Sequence, residues 1–138
     1  MAGTVVVDTL KSGTSGPPAF RNTSDVEVGQ LCRAWVNFNG TTSPGTIRAQ
    51  FNVSSVTKNG TGDYTVNFST AMPDANYSVV ATGMRNIAEG TSSQPVTVRP
   101  YNDTVYGNVF TTASVRLKST VYSGSVDDVL AGTVAIFR

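Results

Sequence analysis

The feature that most constrains this chain is its supply of β-branched side chains. Its 138 residues include twenty Val, nineteen Thr and three Ile, against only four Leu, two Glu and three Lys. Val, Ile and Thr lose side-chain freedom in a helix and pack well on a pleated surface, whereas Leu, Glu and Lys favour helices. Thirteen Gly and six Pro add many turn positions. The composition therefore predicts an all-β domain with almost no helix.

Alternation of apolar and polar residues places the expected strands along the chain. They cover residues 34–38, 47–53, 64–68, 77–82, 96–98, 109–117 and 133–138, with further short pieces near the N-terminus. The alternation slips one residue after Val53, which predicts a β-bulge at Ser54 and Ser55. About eight strands at this spacing, separated by polar turns, predict an antiparallel β-sandwich or jelly-roll-like domain.

This pattern also predicts the conformation of one turn, the position of the aromatic residues and the environment of the last strand. The turn at residues 59–63 contains Gly60 and Gly62, and we expect both at positive φ. Six aromatic residues alternate with polar neighbours on strands and are predicted to lie in the core: Trp35, Phe38, Phe51, Tyr64, Phe68 and Tyr77. The last strand, residues 133–138, is apolar on both faces, so we expect a second sheet on one side and another subunit on the other.

The first thirty residues differ from the rest and predict a separate segment. Two β-prone pieces, residues 5–7 and 26–28, flank a Gly/Pro/Ser linker at residues 11–18 that cannot hold a regular element. Two interpretations stay open: an edge strand with a floppy terminus, or an extended arm that docks on a partner subunit or a larger assembly. The predicted domains are this arm, residues 1–30, and a sandwich head, residues 31–138.

Charge and hydropathy exclude several classes of partner. Ten basic and nine acidic residues are spread without a run, so a nucleic-acid partner is not expected. The N-terminus lacks the basic and apolar regions of a signal peptide, and no apolar run approaches the ~20 residues of a membrane helix. We therefore expect no membrane insertion. The single Cys32 lies beside apolar residues and is predicted to be a buried structural thiol.

The chemistry-bearing residues do not form a recognisable catalytic set. There is no His and one Cys, which removes Ser-His-Asp and Cys-His catalysis and most transition-metal sites. No phosphate-binding or nucleophile-elbow motif occurs. The Asp residues lie in turns, and the pairs at residues 102–103 and 127–128 give only the weak calcium signal of any Asp-rich loop. We predict no catalytic residues, no metal site, no cofactor and no enzymatic activity.

The strongest binding candidates are two tyrosines in a polar loop. Tyr101 and Tyr106 flank the segment Asn102-Asp103-Thr104, so their rings are either a lid over the core or recognition residues. As recognition residues, the two rings would stack on a sugar ring, and Asn102 and Asp103 would bond its hydroxyls.

Four segments in order resemble a module of tail-fibre and related virion proteins from marine and cyanobacterial tailed bacteriophages. They are CRAWVNFNG at 32–40, IRAQFNV at 47–53, NGTGDYTVNF at 59–68 and AMPDANY at 71–77. Upstream, DTLKSGTSGPP at 8–18 and EVG at 27–29 resemble the lead-in to that module. The resemblance covers about residues 31–81. It leaves residues 82–138 unmatched, where such a fibre would vary for host recognition, chiefly in the loops at 86–94 and 100–107.

The resemblance implies a virion protein: a homotrimer, an N-terminal arm fixed to other virion proteins, and a β-rich head facing outward, assembled in the host cytoplasm. Tail fibres usually carry shaft repeats, and this chain has none. The expected function is therefore a short tail fibre or fibre-like surface protein that binds a host surface glycan. The alternatives are a capsid decoration protein, a free carbohydrate-binding sandwich module and a small glycan hydrolase.

Overall fold

The described residues form ten strands and no helix. The structure, a computed structural model, describes residues 20–29, 31–85, 96–100 and 109–138, and the chain divides after Leu31 into two units. The strands are β1 (Phe20–Arg21), β2 (Glu27–Gly29), β3 (Cys32–Asn39), β4 (Thr46–Phe51), β5 (Val53–Gly60), β6 (Asp63–Phe68), β7 (Ser78–Arg85), β8 (Val96–Pro100), β9 (Ser114–Val121) and β10 (Val129–Phe137).

The N-terminal unit contains a short antiparallel hairpin of β1 and β2. Its turn is held by Asn22, whose Oδ1 accepts hydrogen bonds from the backbone N–H groups of Ser24 at 2.9 Å and Val26 at 3.0 Å. Asp25 closes the turn at a φ of 60°. Residues 1–19 and residue 30 of the predicted arm lie outside the described residues.

The second unit is an antiparallel β-sandwich, as the sequence predicts. Its eight strands form one hydrogen-bonded sheet in the order β4-β3-β10-β7-β8-β9-β6-β5. The sheet folds over where Gly83 of β7 pairs with Val96 of β8, and a bridge between Gly45 and Val56 links β5 to the residue preceding β4. We call β4-β3-β10-β7 the first half-sheet and β8-β9-β6-β5 the second half-sheet.

The core lies between the two half-sheets and takes alternate residues from each strand. Ala34, Val36 and Phe38 of β3 are buried, as are alternate residues of β6, β9 and β10. Across the layers the ring of Phe38 meets the edge of Tyr64, with centroids 5.3 Å apart. Aromatic pairs of this geometry add to the hydrophobic stabilisation from burial.

The strand expected at residues 47–53 is two strands, not one. β4 ends at Phe51 and β5 begins at Val53, with Asn52 between them at a φ of 54°. Asn adopts this left-handed conformation more readily than most residues. Its side chain also joins neighbouring segments, since Nδ2 donates to the carbonyls of Arg33 and Thr70, and Oδ1 accepts the Thr70 N–H at 2.7 Å. The predicted bulge is confirmed between Val53 and Ser55.

Gly60 and Gly62 differ, although the sequence predicts positive φ for both. Gly62 has a φ of 62°, and a Cβ there would lie 2.8 Å from the carbonyl oxygens of Asp127 and Ser119. The prediction is wrong for Gly60, which lacks a positive φ and would have no atom within 4 Å of an added Cβ. The turn therefore requires glycine at residue 62 and not at residue 60.

Two of the six predicted core aromatics are on the surface. Phe38, Tyr64, Phe68 and Tyr77 are buried, but Trp35 is 39% exposed and Phe51 is 55% exposed. Both side chains project from the outer face of the first half-sheet, since Phe51 pairs with Trp35 and the two neighbours of Trp35, Ala34 and Val36, are buried. The strand expected at residues 109–117 is also displaced, because β9 begins at Ser114 and continues to Val121.

Candidate functional site

The receptor residues predicted from the sequence, Tyr101, Asn102, Asp103 and Tyr106, lie outside the described residues, as do residues 86–95. The strands that carry these loops are described, however. The loop at 86–95 joins β7 to β8 at one end of β8, and the loop after Pro100 leaves from the other end. The two predicted receptor loops therefore flank β8 in the chain.

The two outer faces of the sandwich differ in chemistry. On the second half-sheet the amide of Asn67 donates to the hydroxyls of Ser55 and Thr57, at 3.0 Å and 3.1 Å. Arg116 donates two hydrogen bonds to Asp63, at 2.8 Å and 2.7 Å. Among the described residues, the strands of this half-sheet expose no large apolar side chain. This face is suited to solvent.

The outer face of the first half-sheet, which we call the apolar face, carries a row of apolar residues. Its register aligns four residues across four strands, because Phe51 pairs with Trp35, Trp35 with Ala135, and Ala135 with Val80. We call these four residues the apolar row. Phe51, Trp35 and Val80 are exposed, Val80 at 63%, and Met84 and Phe137 are exposed on the same half-sheet. Contiguous apolar surface of this kind is typical of interaction sites.

This face also carries little charge. The four strands of the first half-sheet contain no Asp or Glu and three Arg. Of these, Arg48 donates to the carbonyl of Leu130 at 2.7 Å, to the carbonyl of Phe38 and to Oδ1 of Asn37, while Arg85 pairs with Asp127. A partner that covers this face would bury no carboxylate from these strands.

A depression of about 330 Å³ lies in the same face. Ala135 and Thr133 of β10 contribute small side chains to its lining, between Trp35 on β3 and Val80 on β7. Asn37 and Thr82 add an amide and a hydroxyl to the same lining. The half-sheet thus has a bulky side, formed by Phe51 and Trp35, and a hollow side over Ala135.

A polar cluster closes the end of the sandwich where β10 begins. Oδ1 of Asp128 accepts hydrogen bonds from the Tyr64 hydroxyl at 2.8 Å and from the Gly62 N–H at 2.9 Å, while Oδ2 meets Lys58 Nζ at 2.5 Å. Partial burial disfavours the Asp128 carboxylate, but the bonds from Lys58, Gly62 and Tyr64 outweigh it and hold its pKa below the usual value. Each group has a structural partner, so the cluster anchors the turns and does not resemble a catalytic acid–base pair.

The adjacent Asp127 has its own partner and does not share a site with Asp128. Its carboxylate binds Arg85 and accepts the Asp128 N–H. Within residues 20–29, 31–85, 96–100 and 109–138, no group of three or more acidic or Cys side chains could hold a metal ion. In the same residues no helix has the length and apolar character needed to cross a membrane.

The sequence contains a signal for the apolar face that the predicted core does not use. The strand expected at 133–138 is apolar on both faces, and in the structure Val134 and Ile136 are buried while Ala135 and Phe137 face outward. Residues 34–36 of β3 are likewise apolar on both faces. Two neighbouring strands with this property indicate a sheet that has a second apolar surface.

No protein-family model, curated protein or solved structure matches the chain.

Proposed function

We propose that this protein is a non-enzymatic surface component of a bacteriophage virion, a short tail fibre or fibre-like protein whose heads associate with one another. The observation that supports association is the difference between the outer faces of the two half-sheets. One is covered by hydrogen-bonded polar side chains, and the other presents the apolar row. The virion assignment rests on the sequence segments at 32–40, 47–53, 59–68 and 71–77.

The occupant of the apolar face is another copy of the same head. Strands lie about 4.8 Å apart and rise about 3.4 Å per residue, so four strands of six to nine residues project roughly 450 Å². Two such faces packed face to face give roughly 900 Å² before side-chain relief is counted, close to the ~1,000 Å² expected of a specific interface, and a ring of three divides each face between two neighbours. Because these four strands contain no Asp or Glu, identical faces can meet without burying like carboxylates.

The number of copies in the assembly is proposed to be three. A closed ring of three heads would bring the apolar faces together around one axis and leave the polar faces outside. The N-terminal arm would attach this trimer to other virion proteins, and the predicted receptor loops at 86–94 and 100–107 would contact a glycan on the host surface.

Native mass spectrometry of the purified chain tests the association. Val80→Asp places a charge in the apolar row, and Thr97→Asp places the same charge on the polar face as a matched control. We expect a trimer for the wild type and the control, and a monomer for Val80→Asp. A monomeric wild type at micromolar concentration would exclude self-association. Immunogold labelling of purified virions tests the assignment to the particle, which fails if the protein is absent from them.

A carbohydrate-binding module is the second candidate, and the depression beside Trp35 favours it. An indole face next to an amide and hydroxyls is suited to stacking on a sugar ring and bonding its hydroxyl groups. Trp35 is the only Trp in the chain, so its fluorescence reports on this site. A monomer whose Trp35 emission shifts on addition of oligosaccharide would support this candidate over the first.

A further inference from the structure

We infer that the heads pair bulky side over hollow side: Trp35 of one copy packs over Ala135 of the next, and Phe51 over Val80. This inference rests on the self-association proposed above and adds the register of the contact. It follows from the order of residues in the apolar row, which places the two aromatic residues on one side and the small or slender ones on the other.

The reason is the mismatch in size along the row. If two faces met with like over like, Trp35 would oppose Trp35 and the depression over Ala135 would oppose itself, leaving two voids and a clash. Unfilled space at an interface forfeits dispersion contacts, and overfilled space forces side chains off their rotamers. Reversing one row places Phe51 opposite Val80 and Trp35 opposite Ala135, so that the indole enters the depression of about 330 Å³.

Two symmetries satisfy this pairing. A twofold axis parallel to the strands, midway between β3 and β10, forms both contacts twice in one dimer. A ring of three instead places the bulky β4-β3 side of each head against the hollow β10-β7 side of the next. Both symmetries give closed assemblies, as is usual for soluble oligomers. The pairing therefore holds for either number of copies, and native mass distinguishes the two.

Disulfide trapping between two kinds of chain tests the register. In a Cys32→Ser background, one tagged chain carries Phe51→Cys and a second, differently tagged, carries Val80→Cys. Within one chain these positions lie three strands apart, about 14 Å, which is too far for a disulfide. We expect a mixture of both chains to form a disulfide-linked pair carrying both tags, and either chain alone to stay unlinked.

The other outcomes are equally informative. Linking of the Phe51→Cys chain to itself would show like over like and overturn the pairing. No linking in a sample whose native mass still shows an assembly would also overturn it, while leaving self-association intact. A monomeric native mass would remove the proposed function and the pairing together.

A second pair of variants distinguishes packing into the depression from association through apolar area alone. Ala135→Trp adds apolar surface to the face but fills the depression, so we expect association at least about tenfold weaker. A face that binds only by its apolar area would instead associate more tightly. Thr97→Trp adds the same side chain to the polar face and controls for the added bulk. Unchanged or tighter association of Ala135→Trp would contradict the inference.

Discussion

The hydroxyl of Tyr64 donates a hydrogen bond to Oδ1 of Asp128 across 2.8 Å, from a side chain that is fully buried. The phenol oxygen of Tyr64 also lies 3.2 Å from the backbone nitrogen of Val129 and 3.2 Å from the carbonyl oxygen of Gly40. One phenol therefore links β6 to the start of β10 and to the residue that follows β3. Burial raises the pKa of Tyr64 well above its ordinary value, so the hydroxyl keeps its proton throughout the physiological range.

Removal of this hydroxyl should destabilise the fold. Tyr64→Phe leaves the buried Val129 N–H without its acceptor and removes one donor to Asp128, which costs about 1–3 kcal/mol. Tyr122→Phe is the matched control, because Tyr122 is 88% exposed, and it should change stability by less than about 0.5 kcal/mol. Urea denaturation of both variants checks this. Equal midpoints would mean that the Tyr64 hydroxyl contributes nothing.

The turn between β5 and β6 should tolerate alanine at one glycine and not at the other. Gly62→Ala forces an L-residue to a φ of 62° and brings its Cβ within 2.8 Å of two backbone oxygens, so we expect a loss of about 2 kcal/mol or more. Gly60→Ala meets open space and should stay within about 0.5 kcal/mol of the wild type. Thermal unfolding compares the two, and similar losses for both would contradict this geometry.

Acid should weaken the head through its paired carboxylates. The hydrogen bonds from Arg116 hold the pKa of Asp63 below its usual value, and Asp128 is shifted in the same direction. A lowered folded pKa means that the unfolded chain binds protons first, so this stability is present above about pH 4 and is lost as pH falls through the folded pKa. Asp128→Asn should therefore flatten the fall in unfolding free energy between about pH 5 and pH 2. An unchanged slope would exclude Asp128 as a contributor.

Alkali should lower the stability of the head by ionising Tyr77. Burial raises the pKa of its phenol to about 12, and its hydroxyl lies within hydrogen-bond distance of the backbone carbonyls of Thr111 and Ser114. Because the folded pKa exceeds the unfolded value of about 10, this stability is complete below pH 10 and is lost as pH rises towards 12. Tyr77→Phe should show a smaller loss of unfolding free energy from pH 9 to pH 12. The wild type and the variant declining in parallel would argue against this role.

Association of the heads should make the melting temperature depend on protein concentration. Mass action stabilises any state that binds a partner, so Tm should rise as the wild-type concentration is raised from micromolar upwards. The Val80→Asp variant should melt at the same temperature over that range, as a monomer does. Calorimetry at several concentrations measures this, and a wild-type Tm independent of concentration would be inconsistent with a dissociable assembly.

The sequence predicts the sandwich because alternation and turn residues are local properties. Most strands, the bulge after Val53 and the buried Phe38 and Tyr64 follow from period-two patterning alone. Alternation shows which residues share a face, but it does not show which face is covered when both are apolar. For that reason the sequence pattern places Trp35 in the core, which Ala34 and Val36 occupy in the structure. The sequence does not indicate the break at Asn52, because its left-handed conformation leaves the apolar pattern of residues 47–53 undisturbed.

The apolar row could not be assembled from sequence, because its four members come from strands distant in the chain. Phe51 and Trp35 belong to neighbouring strands, but Ala135 and Val80 join them only through the pairing of β10 with β3 and β7. The candidate receptor residues around Tyr101 stay predictions.

The position of β10 has a consequence for biosynthesis. This strand lies between β3 and β7, and its Phe137 pairs with Cys32, so the first half-sheet joins strands from nearly opposite ends of the head sequence. On the ribosome, β3 and β4 emerge long before the strand that must separate β3 from β7. Until then one edge of β3 has no hydrogen-bonding neighbour, and Trp35 is available to other nascent chains on the same messenger. Contacts between residues so distant in the chain slow folding. The rate at which translation reaches β10 should therefore decide how much of the chain folds and how much aggregates. Pulse-labelled synthesis at different elongation rates would measure these two fractions.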